Sequence, residues 1–393
     1  MRTQVGIVGA GPAGLLLAHL LHLAGIESVV LELRSREYVE HRIRAGVLEQ
    51  ASVDLLDEVG LGERLHREGL VHHGIELQFA GDRHRIPLTE LTDGRSITVY
   101  GQQEVVKDLI AARVEAGQPL LFDVSEVVVD PDTPLVRFRH DGESAELRCD
   151  VVAGCDGFHG VCRDSIPRGA LRFFEREYPF AWLGILAEAP PSNEELIYAY
   201  HEHGFALHSM RTPKLTRLYL QCAPDEDLAE WPGERIWEEL HTRLGLPGAS
   251  LNEGPIVDRG ITPMRSFVAE PMQHGRLFLA GDAAHIVPPT GAKGMNLAIA
   301  DVHVLAEALV AWYRRGDESL LDAYSETALR RVWRAEHFSW WMTSMLHRLP
   351  GGDAFDAKLQ LAQLTYVCSS HAAAKSLAEN YVGFEHLTAG VLS

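Results

Sequence analysis

The chain has 393 residues, enough for two or three domains of about 150 residues or for one large composite fold. Hydrophobic residues make up 46% and charged residues 23% of the sequence, which is typical of a folded globular protein and excludes intrinsic disorder. The formal net charge of −19 would repel nucleic acid and anionic membrane surfaces, so we expect neither as a partner.

The N-terminal segment has the pattern of a right-handed βαβ unit. We predict a buried strand over residues 4–8, a helix over 12–24 and a second strand over 28–33. The apolar run 5–18 contains four glycines and Pro12 and is too short to cross a bilayer, so we predict no membrane span there.

A G-x-G-x-x-G motif lies between the first predicted strand and the helix. Gly9 permits a tight turn, Gly11 lets the backbone approach a pyrophosphate, and Gly14 allows close packing of the helix. Glu32 follows Gly14 by 18 residues, where a carboxylate would meet an adenosine ribose hydroxyl. Strand, helix and acid in this register favour a dinucleotide site over a glycine turn without a ligand.

The middle of the chain changes character. From residue 171 to about 263, short runs rich in β-branched and aromatic residues alternate with turn signals, which predicts an antiparallel sheet. A buried strand over 276–280 then precedes a helical region, with helices over 291–312, through 330–347 and over 355–380. We therefore expect a mixed α/β fold, in which residues 1–170 and 266–393 share a Rossmann-like domain and a helical C-terminal region around a sheet domain at 171–265.

Two further motifs follow predicted buried strands. Asp156-Gly157 comes after the strand at 151–153, and Gly281-Asp282 comes after the strand at 276–280. An acid at such a position can bind a ligand hydroxyl, and the helix that opens near Gly291 can face developing negative charge. Either motif alone is ordinary loop chemistry, so their weight comes from occurring together with the first glycine motif.

The order of these three motifs resembles that of the single-component flavoprotein aromatic hydroxylases, which use FAD and a nicotinamide reductant. The segment 42–50, the block with Phe158 and His159, and the run 265–296 extend the resemblance over nearly the whole chain, to members that act on 4-hydroxybenzoate. The resemblance implies conversion of 4-hydroxybenzoate to 3,4-dihydroxybenzoate with NAD(P)H and O2, through a flavin hydroperoxide.

The resemblance also implies the cofactor-binding residues. It assigns FAD contacts to Gly9, Gly11, Gly14, Glu32, Arg42, Arg44, Gln102, Asp282, Gly294, Met295 and Asn296. It assigns nicotinamide binding to Arg34, Arg44, His159 and Arg265. Arg34 and Arg36 favour a 2′-phosphate whereas Glu37 and Glu40 would repel one, so the sequence leaves NADH and NADPH both open.

The predicted strands of the middle sheet supply a substrate pocket. Residues two apart share a face, so Ser209 and Arg211 project together, as do Arg217 and Tyr219 on the neighbouring strand. The resemblance places Ser209, Arg211 and Tyr219 around the carboxylate of an aromatic acid and gives Arg217 a part in flavin movement.

At the other end of the ring, the resemblance implies the catalytic residues. Tyr198 would bind the phenol, Tyr381 and His72 would carry its proton to bulk water, and the carbonyl of Pro289 would contact the substrate.

Three neighbours of pocket residues depart from the best-known members. Tyr200, His208 and Leu218 stand where those members carry Asn, Cys and Tyr. This leaves open the same chemistry on a related ring acid, such as 4-aminobenzoate or a dihydroxybenzoate. A flavin-based sensor without catalysis is the alternative from another class.

The remaining residue types predict the setting of the protein. Its five cysteines are an odd number without a C-x-x-C pair and its 20 histidines are scattered, which disfavours disulfides and metal sites and favours a reducing cytoplasm. The resemblance implies a homodimer. The aromatic stretch around Trp333 and Trp340 is expected to serve the core or a dimer contact.

Overall fold

The computed structural model describes residues 1–42 and 46–383. Within them the strands are, in chain order, β1 (Val5–Val8), β2 (Ser28–Leu31), β3 (Val47–Glu49), β4 (Leu70–His72), β5 (Ile75–Phe79), β6 (Asp82–Ile86), β7 (Ile97–Val99), β8 (Leu120–Leu121), β9 (Ser125–Asp130), β10 (Leu135–His140), β11 (Glu143–Arg148), β12 (Val151–Gly154), β13 (Arg172–Ala187), β14 (Leu196–Ala199), β15 (Ala206–Thr212), β16 (Leu215–Cys222), β17 (Ile256–Glu270), β18 (Gln273–His274), β19 (Leu277–Leu279) and β20 (His285–Ile286).

The α-helices of the same residues are α1 (Pro12–Leu23), α2 (Arg36–His41), α3 (Gln50–Glu58), α4 (Gly62–Glu68), α5 (Leu88–Leu91), α6 (Gln102–Glu115), α7 (Cys162–Ser165), α8 (Gly233–Leu244), α9 (Gly294–Arg315), α10 (Ser319–Asp322), α11 (Tyr324–Leu346), α12 (Ala354–Ser369) and α13 (His371–Val382). Short 3₁₀ turns occupy Leu228–Glu230, Gly281–Ala283 and Pro289–Gly291.

A six-stranded sheet contains the strands of the predicted βαβ unit. Its order is β18-β19-β12-β1-β2-β8, and every neighbouring pair except β18 and β19 is parallel. All residues of β1, β2, β12 and β19 are buried, as expected for parallel strands covered on both faces. The predicted βαβ opening and the mixed α/β fold class are confirmed, with β2 ending two residues before the predicted boundary at Leu33.

The second large sheet has eight strands in the order β20-β17-β13-β16-β15-β14-β5-β6. It is not confined to residues 171–265, because β5 and β6 come from the N-terminal segment and β5 pairs in parallel with β14. This pairing covers the edge of β14 that would otherwise expose unpaired backbone groups. Local alternation could not reveal a partner more than 110 residues earlier in the chain.

The C-terminal helices differ in two ways from the prediction. The helix predicted over 355–380 is two helices, because Ser370 has an extended backbone and its hydroxyl accepts the N–H of Ala373 at the start of α13. Helix α9 begins at Gly294 rather than 291, because a 3₁₀ turn precedes it and Ala292 adopts a left-handed φ of 54°.

Helix α9 is a core helix. It is long and apolar enough to cross a membrane, but 83% of its most apolar window is buried inside the protein. It packs against α1, α10 and α11, so its apolar surface is used by the fold itself.

A buried histidine joins α11 to the large sheet. The imidazole of His347 is fully buried, accepts the indole N–H of Trp182 on β13 at 2.6 Å, and donates from Nδ1 to the carbonyl of Thr343 at 3.0 Å. Burial lowers the pKa of His347 to about 3, so the ring is neutral at pH 7.

We expect His347 to make the fold sensitive to acid. Its folded pKa lies below the value of about 6.5 in an unfolded chain, so its stabilisation is present above pH 6.5 and is lost as the pH falls towards 3. Over that window this group alone contributes a slope of ~1.4 kcal/mol per pH unit to the free energy of unfolding. His347→Gln keeps an acceptor for Trp182 and should flatten the slope in urea titrations between pH 7 and pH 5.

The control is His337→Gln, at an exposed histidine of α11, which should keep the wild-type slope. An unchanged slope in His347→Gln would contradict the prediction that His347 takes up a proton in the unfolded chain but not in the folded protein.

Candidate active site

Three motif loops leave the same edge of the six-stranded sheet. Val8 is registered with Gly154, and Gly154 with Leu279, so the loops that follow β1, β12 and β19 begin side by side. Ligands of open α/β sheets bind at the carboxyl ends of the strands, which is this edge.

The glycines of the first loop are set by close approach. Gly9 has a φ of +105°, and a Cβ there would lie 2.3 Å from the carbonyl oxygen of Cys155. A Cβ on Gly14 would lie 2.0 Å from the carbonyl oxygen of Gly9, whereas a Cβ on Gly11 would have nothing within 4 Å. The first and third glycines therefore allow the turn and the helix to pack, and the second leaves open space in front of the helix.

The end of β2 faces this loop with a carboxylate. Glu32 accepts the backbone N–H of Ala10 at 2.7 Å and that of Arg34 at 2.8 Å. The first turn of α1 has no acidic residue, and Gly11 offers no side-chain cap, so its N–H groups remain available to an anion.

The second and third loops add further polar groups. Asp282 is exposed between the buried residues Gly281 and Ala283, so its carboxylate projects from the end of β19. Asp156 accepts the N–H of Cys162 at 2.9 Å, while its Oδ1 is buried without a hydrogen-bond partner. Burial raises the pKa of Asp156.

The N-terminus of α9 is uncapped. Its first turn has no acidic residue and no side chain caps it, and a Cβ on Gly294 would meet nothing within 4 Å. The helix end therefore presents N–H groups and positive potential to open space.

Lys293, directly before this helix, was missed by the sequence analysis. Its ammonium group is buried and donates to Glu49 at 2.6 Å and to the carbonyl of Tyr381 at 2.9 Å. Burial lowers the pKa of Lys293, although Glu49 opposes this effect. A lysine at a helix N-terminus, where the helix dipole disfavours a cation, was the signal available in the sequence.

Two of the other residues assigned to FAD lie near this end of the molecule. Asn296 is buried, and its amide accepts from Glu49 and Ser52 and donates to Val47 and Ala292, so it fixes the start of α9 to β3 and α3. Met295 is half-buried beside it.

The remaining assigned residues lie elsewhere. Gln102 is the first residue of α6 and is half-buried. Arg42 and Arg34 both rest on the ring of Tyr38, at 5.8 and 5.3 Å from its centre. Arg44 lies outside the described residues.

The predicted nicotinamide residues His159 and Arg265 meet at one aromatic ring. His159 lies edge-on to Phe158 at 5.0 Å, and the guanidinium of Arg265 lies 5.0 Å from the centre of the same ring. Arg163, which the sequence analysis did not single out, also covers Phe158 and donates to the carbonyl of Ala283 at 3.0 Å. It thereby joins the second motif loop to the third.

These residues fit FAD. The open space before Gly11, the two uncapped helix N-termini, the exposed carboxylate of Asp282 and the unpartnered oxygen of Asp156 all lie at the ends of parallel strands or of the helices that follow them. Pyrophosphate, ribityl hydroxyls and a flavin ring that becomes anionic are the groups that such donors and acceptors hold.

The predicted carboxylate-binding residues cluster on the eight-stranded sheet. Arg211 donates from Nη1 to the hydroxyl of Ser209 at 3.2 Å and from Nη2 to that of Tyr219 at 3.4 Å. The Nε of Arg211 is buried and has no hydrogen-bond partner in the described part of the chain, and burial lowers the pKa of the guanidinium. Among the residues that the structure describes, no carboxylate lies within ion-pair distance of Arg211, so this cation can accept an anionic ligand.

Arg217 lies beside this cluster. Its guanidinium covers the ring of Tyr219 at 5.2 Å and lies 3.5 Å from the carboxylate of Asp258.

The two predicted relay tyrosines contact each other. The hydroxyl groups of Tyr198 and Tyr381 are 2.5 Å apart, and both side chains are buried. Burial raises the pKa of each phenol, so both remain protonated at pH 7 and can pass a proton along their hydrogen bond.

His72 and Pro289, the other two predicted catalytic residues, make no hydrogen bond to either tyrosine in the part of the chain that the structure describes. His72 is buried, both its ring nitrogens lack a hydrogen-bond partner within residues 1–42 and 46–383, and burial lowers its pKa to about 4. The carbonyl of Pro289 accepts the N–H of Ala292 at 3.0 Å and retains one lone pair for a ligand.

Strand register brings the two ends of the pocket onto one face. Leu207 pairs with Tyr198 on one side and with Tyr219 on the other. Paired residues of adjacent strands point to the same face, and two strand spacings separate the tyrosines by about 10 Å at their Cα atoms. The phenol end and the carboxylate end therefore lie across three neighbouring strands.

Comparison with known proteins identifies this architecture. The family model described as FAD binding domain matches residues 2–339. The chain is 50% identical to a p-hydroxybenzoate hydroxylase of Acinetobacter baylyi over 389 residues, 98% of this chain and 96% of the relative. It is also 30% identical over 341 residues to a rifampicin monooxygenase of Streptomyces venezuelae, covering 82% of this chain and 67% of the relative.

The fold is found in solved structures as well. A p-nitrophenol 4-monooxygenase from Pseudomonas putida DLL-E4 superposes with a TM-score of 0.84 at 21% identity, over 98% of this chain and 99% of that structure. The family model and the 50% identical relative show that the chain belongs to the single-component FAD-dependent aromatic hydroxylases, monooxygenases that use FAD as cofactor, NAD(P)H as reductant and O2 as oxidant.

Proposed function

We propose that this monooxygenase hydroxylates 4-hydroxybenzoate at the 3-position. The reaction consumes 4-hydroxybenzoate, NAD(P)H, O2 and one proton and yields 3,4-dihydroxybenzoate, NAD(P)⁺ and water. The observation that carries the proposal is the placement of an unpaired arginine and a pair of coupled phenols on one face of one sheet.

Arg211 selects and orients the acid. Its guanidinium forks to a carboxylate with two parallel N–H donors, and the hydroxyl groups of Ser209 and Tyr219 lie within reach of the same ligand. The protein is acidic overall, with a net charge of −19, so the affinity for an anionic ring depends on this local cation.

Tyr198 and Tyr381 hold the opposite end of the ring. A substrate hydroxyl that donates to Tyr198 loses its proton along the bond to Tyr381 and then to solvent by way of His72. His72 is neutral at pH 7 and both its ring nitrogens lack a partner among the described residues, so either nitrogen is free for a relayed proton. The resulting phenolate releases electrons into the ring and activates the carbon beside its oxygen.

FAD supplies the redox chemistry when it is bound: it takes electrons from NAD(P)H and activates O2 for transfer of one oxygen atom to the ring. The protein residues orient the ring carbon and control the phenol proton. The N-terminus of α9 offers N–H donors where the reduced cofactor becomes anionic.

The departures from the best-known members support retention of this substrate. His208 and Leu218 are registered with each other and point away from the face that carries Ser209 and Tyr219. His208 accepts the N–H of Ser192 at 3.0 Å. Tyr200 lines a separate groove with Gln78, Arg243 and Leu361.

The direct test compares ring acids on the purified holoenzyme. We expect 3,4-dihydroxybenzoate to form from 4-hydroxybenzoate in near-equal amount to the NADH or NADPH consumed. Faster coupled turnover of 4-aminobenzoate or of a dihydroxybenzoate would replace the proposed substrate, and consumption of reductant with only hydrogen peroxide as product would refute it.

Arg211→Ala should weaken binding of 4-hydroxybenzoate about 10- to 100-fold, because a charge-assisted contact of about 1.5–3 kcal/mol is lost. Arg211→Lys should lie between this variant and the wild type, since lysine keeps the charge but not the fork. Titration of bound-flavin absorbance with the acid measures both dissociation constants. Arg137→Ala, an exposed arginine on β10, is the control, and an unchanged constant in Arg211→Ala would refute the pocket.

Tyr198→Phe should slow ring hydroxylation about 10²-fold, the usual contribution of positioned proton transfer, while FAD remains bound. Single-turnover product formation measures the rate. The control is Tyr313→Phe, which removes a hydroxyl on α9 that donates to the carboxylate of Asp150. This variant should leave the rate unchanged. A wild-type rate in Tyr198→Phe would rule out the relay.

We further propose that the protein works in the cytoplasm as a homodimer. Helix α12 carries an apolar stripe, with Phe355, Leu359 and Tyr366 exposed by 68%, 55% and 60%. These residues are spaced by four and seven positions and so share one face of the helix. A second copy that covers this face would remove the stripe from water.

Leu359→Lys should convert the dimer into a monomer, because it places a charge in the centre of the apolar stripe. Light scattering after size-exclusion chromatography measures the mass. Leu320→Lys makes the same change at an exposed leucine of α10 and should leave the dimer intact. A monomeric wild type, or a dimeric Leu359→Lys, would contradict the assignment.

A further inference from the structure

A buried ion pair lies behind the third motif loop. His285 Nε2 on β20 and Asp301 Oδ2 on α9 are 2.6 Å apart, and their side chains are exposed by only 1% and 2%. The proposed reaction uses neither residue.

The same carboxylate oxygen holds the other end of the loop. Asp301 Oδ2 accepts the backbone N–H of Gly281 at 2.9 Å. Gly281 has a φ of +63°, and a Cβ there would lie 3.2 Å from the Cβ of Ala298, so the turn lies flush against α9. One acceptor thus fixes both ends of the segment that presents Asp282.

The charges around His285 come from three acids. Burial would lower the pKa of His285, but Asp301, and to a smaller extent Asp282 and Glu336, raise it above the ordinary value. Glu336 on α11 accepts the hydroxyl of Ser266 at 2.8 Å, and burial raises its pKa to about 7. Asp301 therefore favours the charged form of His285.

A buried ion pair is a poor source of stability, because desolvation of both charges offsets their attraction. Here the pair fixes the position of the third motif loop relative to α9. His285 lies on β20, which pairs with β17 in the eight-stranded sheet and places His285 opposite Val268. The pair therefore joins the loop both to α9 and to that sheet.

We propose that Asp301 and His285 are positioning residues that hold the Gly281–Asp282 turn on α9, so that the carboxylate of Asp282 faces the ribityl chain of FAD. The inference rests on the proposed contact between Asp282 and the cofactor. We call this pair of Asp301 and His285 the clamp. Without the clamp, the carboxylate of Asp282 would no longer face the ribityl chain, and FAD would bind more weakly.

The test measures the dissociation constant of FAD from apoprotein by quenching of flavin fluorescence. Asp301→Asn keeps the shape of the side chain but turns one acceptor into a donor that faces Gly281 N–H or His285. We expect this variant and Asp282→Ala each to weaken FAD binding about tenfold. If Asp301 acts through Asp282, the double variant should bind FAD no more weakly than Asp282→Ala alone.

His285 provides a second pair of variants should Asp301→Asn fail to fold. His285→Gln retains an N–H donor for Asp301 and should bind FAD nearly as tightly as the wild type, whereas His285→Leu should resemble Asp301→Asn. Asp322→Asn, an exposed carboxylate on α10, is the control and should leave FAD binding unchanged.

The outcomes separate this inference from the proposed function. A wild-type FAD constant in Asp301→Asn, or multiplying effects in the double variant, would overturn the clamp and leave the substrate assignment intact. A wild-type constant in Asp282→Ala would overturn both the clamp and the contact on which it rests. The product assay on the unmodified enzyme tests the substrate assignment independently.

Discussion

The register of three parallel strands is the constraint on which the cofactor site depends. Val8, Gly154 and Leu279 lie side by side although the chain between them includes seven of the eight strands of the eight-stranded sheet. Because parallel strands end at a common edge, the loops that follow them start next to one another along that edge. A shift of one residue in any of these strands would send its carboxylate or its glycine turn to the wrong face of the sheet.

Two buried cations lie among the other residues of the candidate site. Arg211 has hydroxyl and carbonyl partners, and Lys293 has one carboxylate and the carbonyl of Tyr381. In both cases burial lowers the pKa, which means that the protein bears a cost for keeping the charge there. In the proposed function, Arg211 is the desolvated positive group through which a strongly acidic chain binds an anionic ring.

Much of this arrangement could be predicted from local pattern. The βαβ opening follows from buried runs and glycine spacing, and the shared face of Ser209 and Arg211 follows from the two-residue period of a strand. The family resemblance supplied what period cannot, such as the partnership of Tyr198 with Tyr381. Fold class, FAD and enzyme family were therefore within reach of the sequence.

Other features depended on distant contacts. The pairing of β5 with β14 joins segments that are far apart in sequence, and the break at Ser370 reflects a capping serine inside an otherwise helical pattern. Lys293 lies in a motif in which the glycines carried the sequence prediction, and no function was predicted for its charge. The ion pair of His285 and Asp301 needs the loop folded back on α9 before it becomes visible.

The hydrogen bond from Lys293 to the carbonyl of Tyr381 has a consequence for folding. The two phenol hydroxyls come from positions 183 residues apart, and Lys293 from 88 residues before Tyr381. Contacts of such long range form late, after the entropy of closing large loops has been overcome. The pair of phenols and the contact of Lys293 are thus completed only when α13 docks against the rest of the chain.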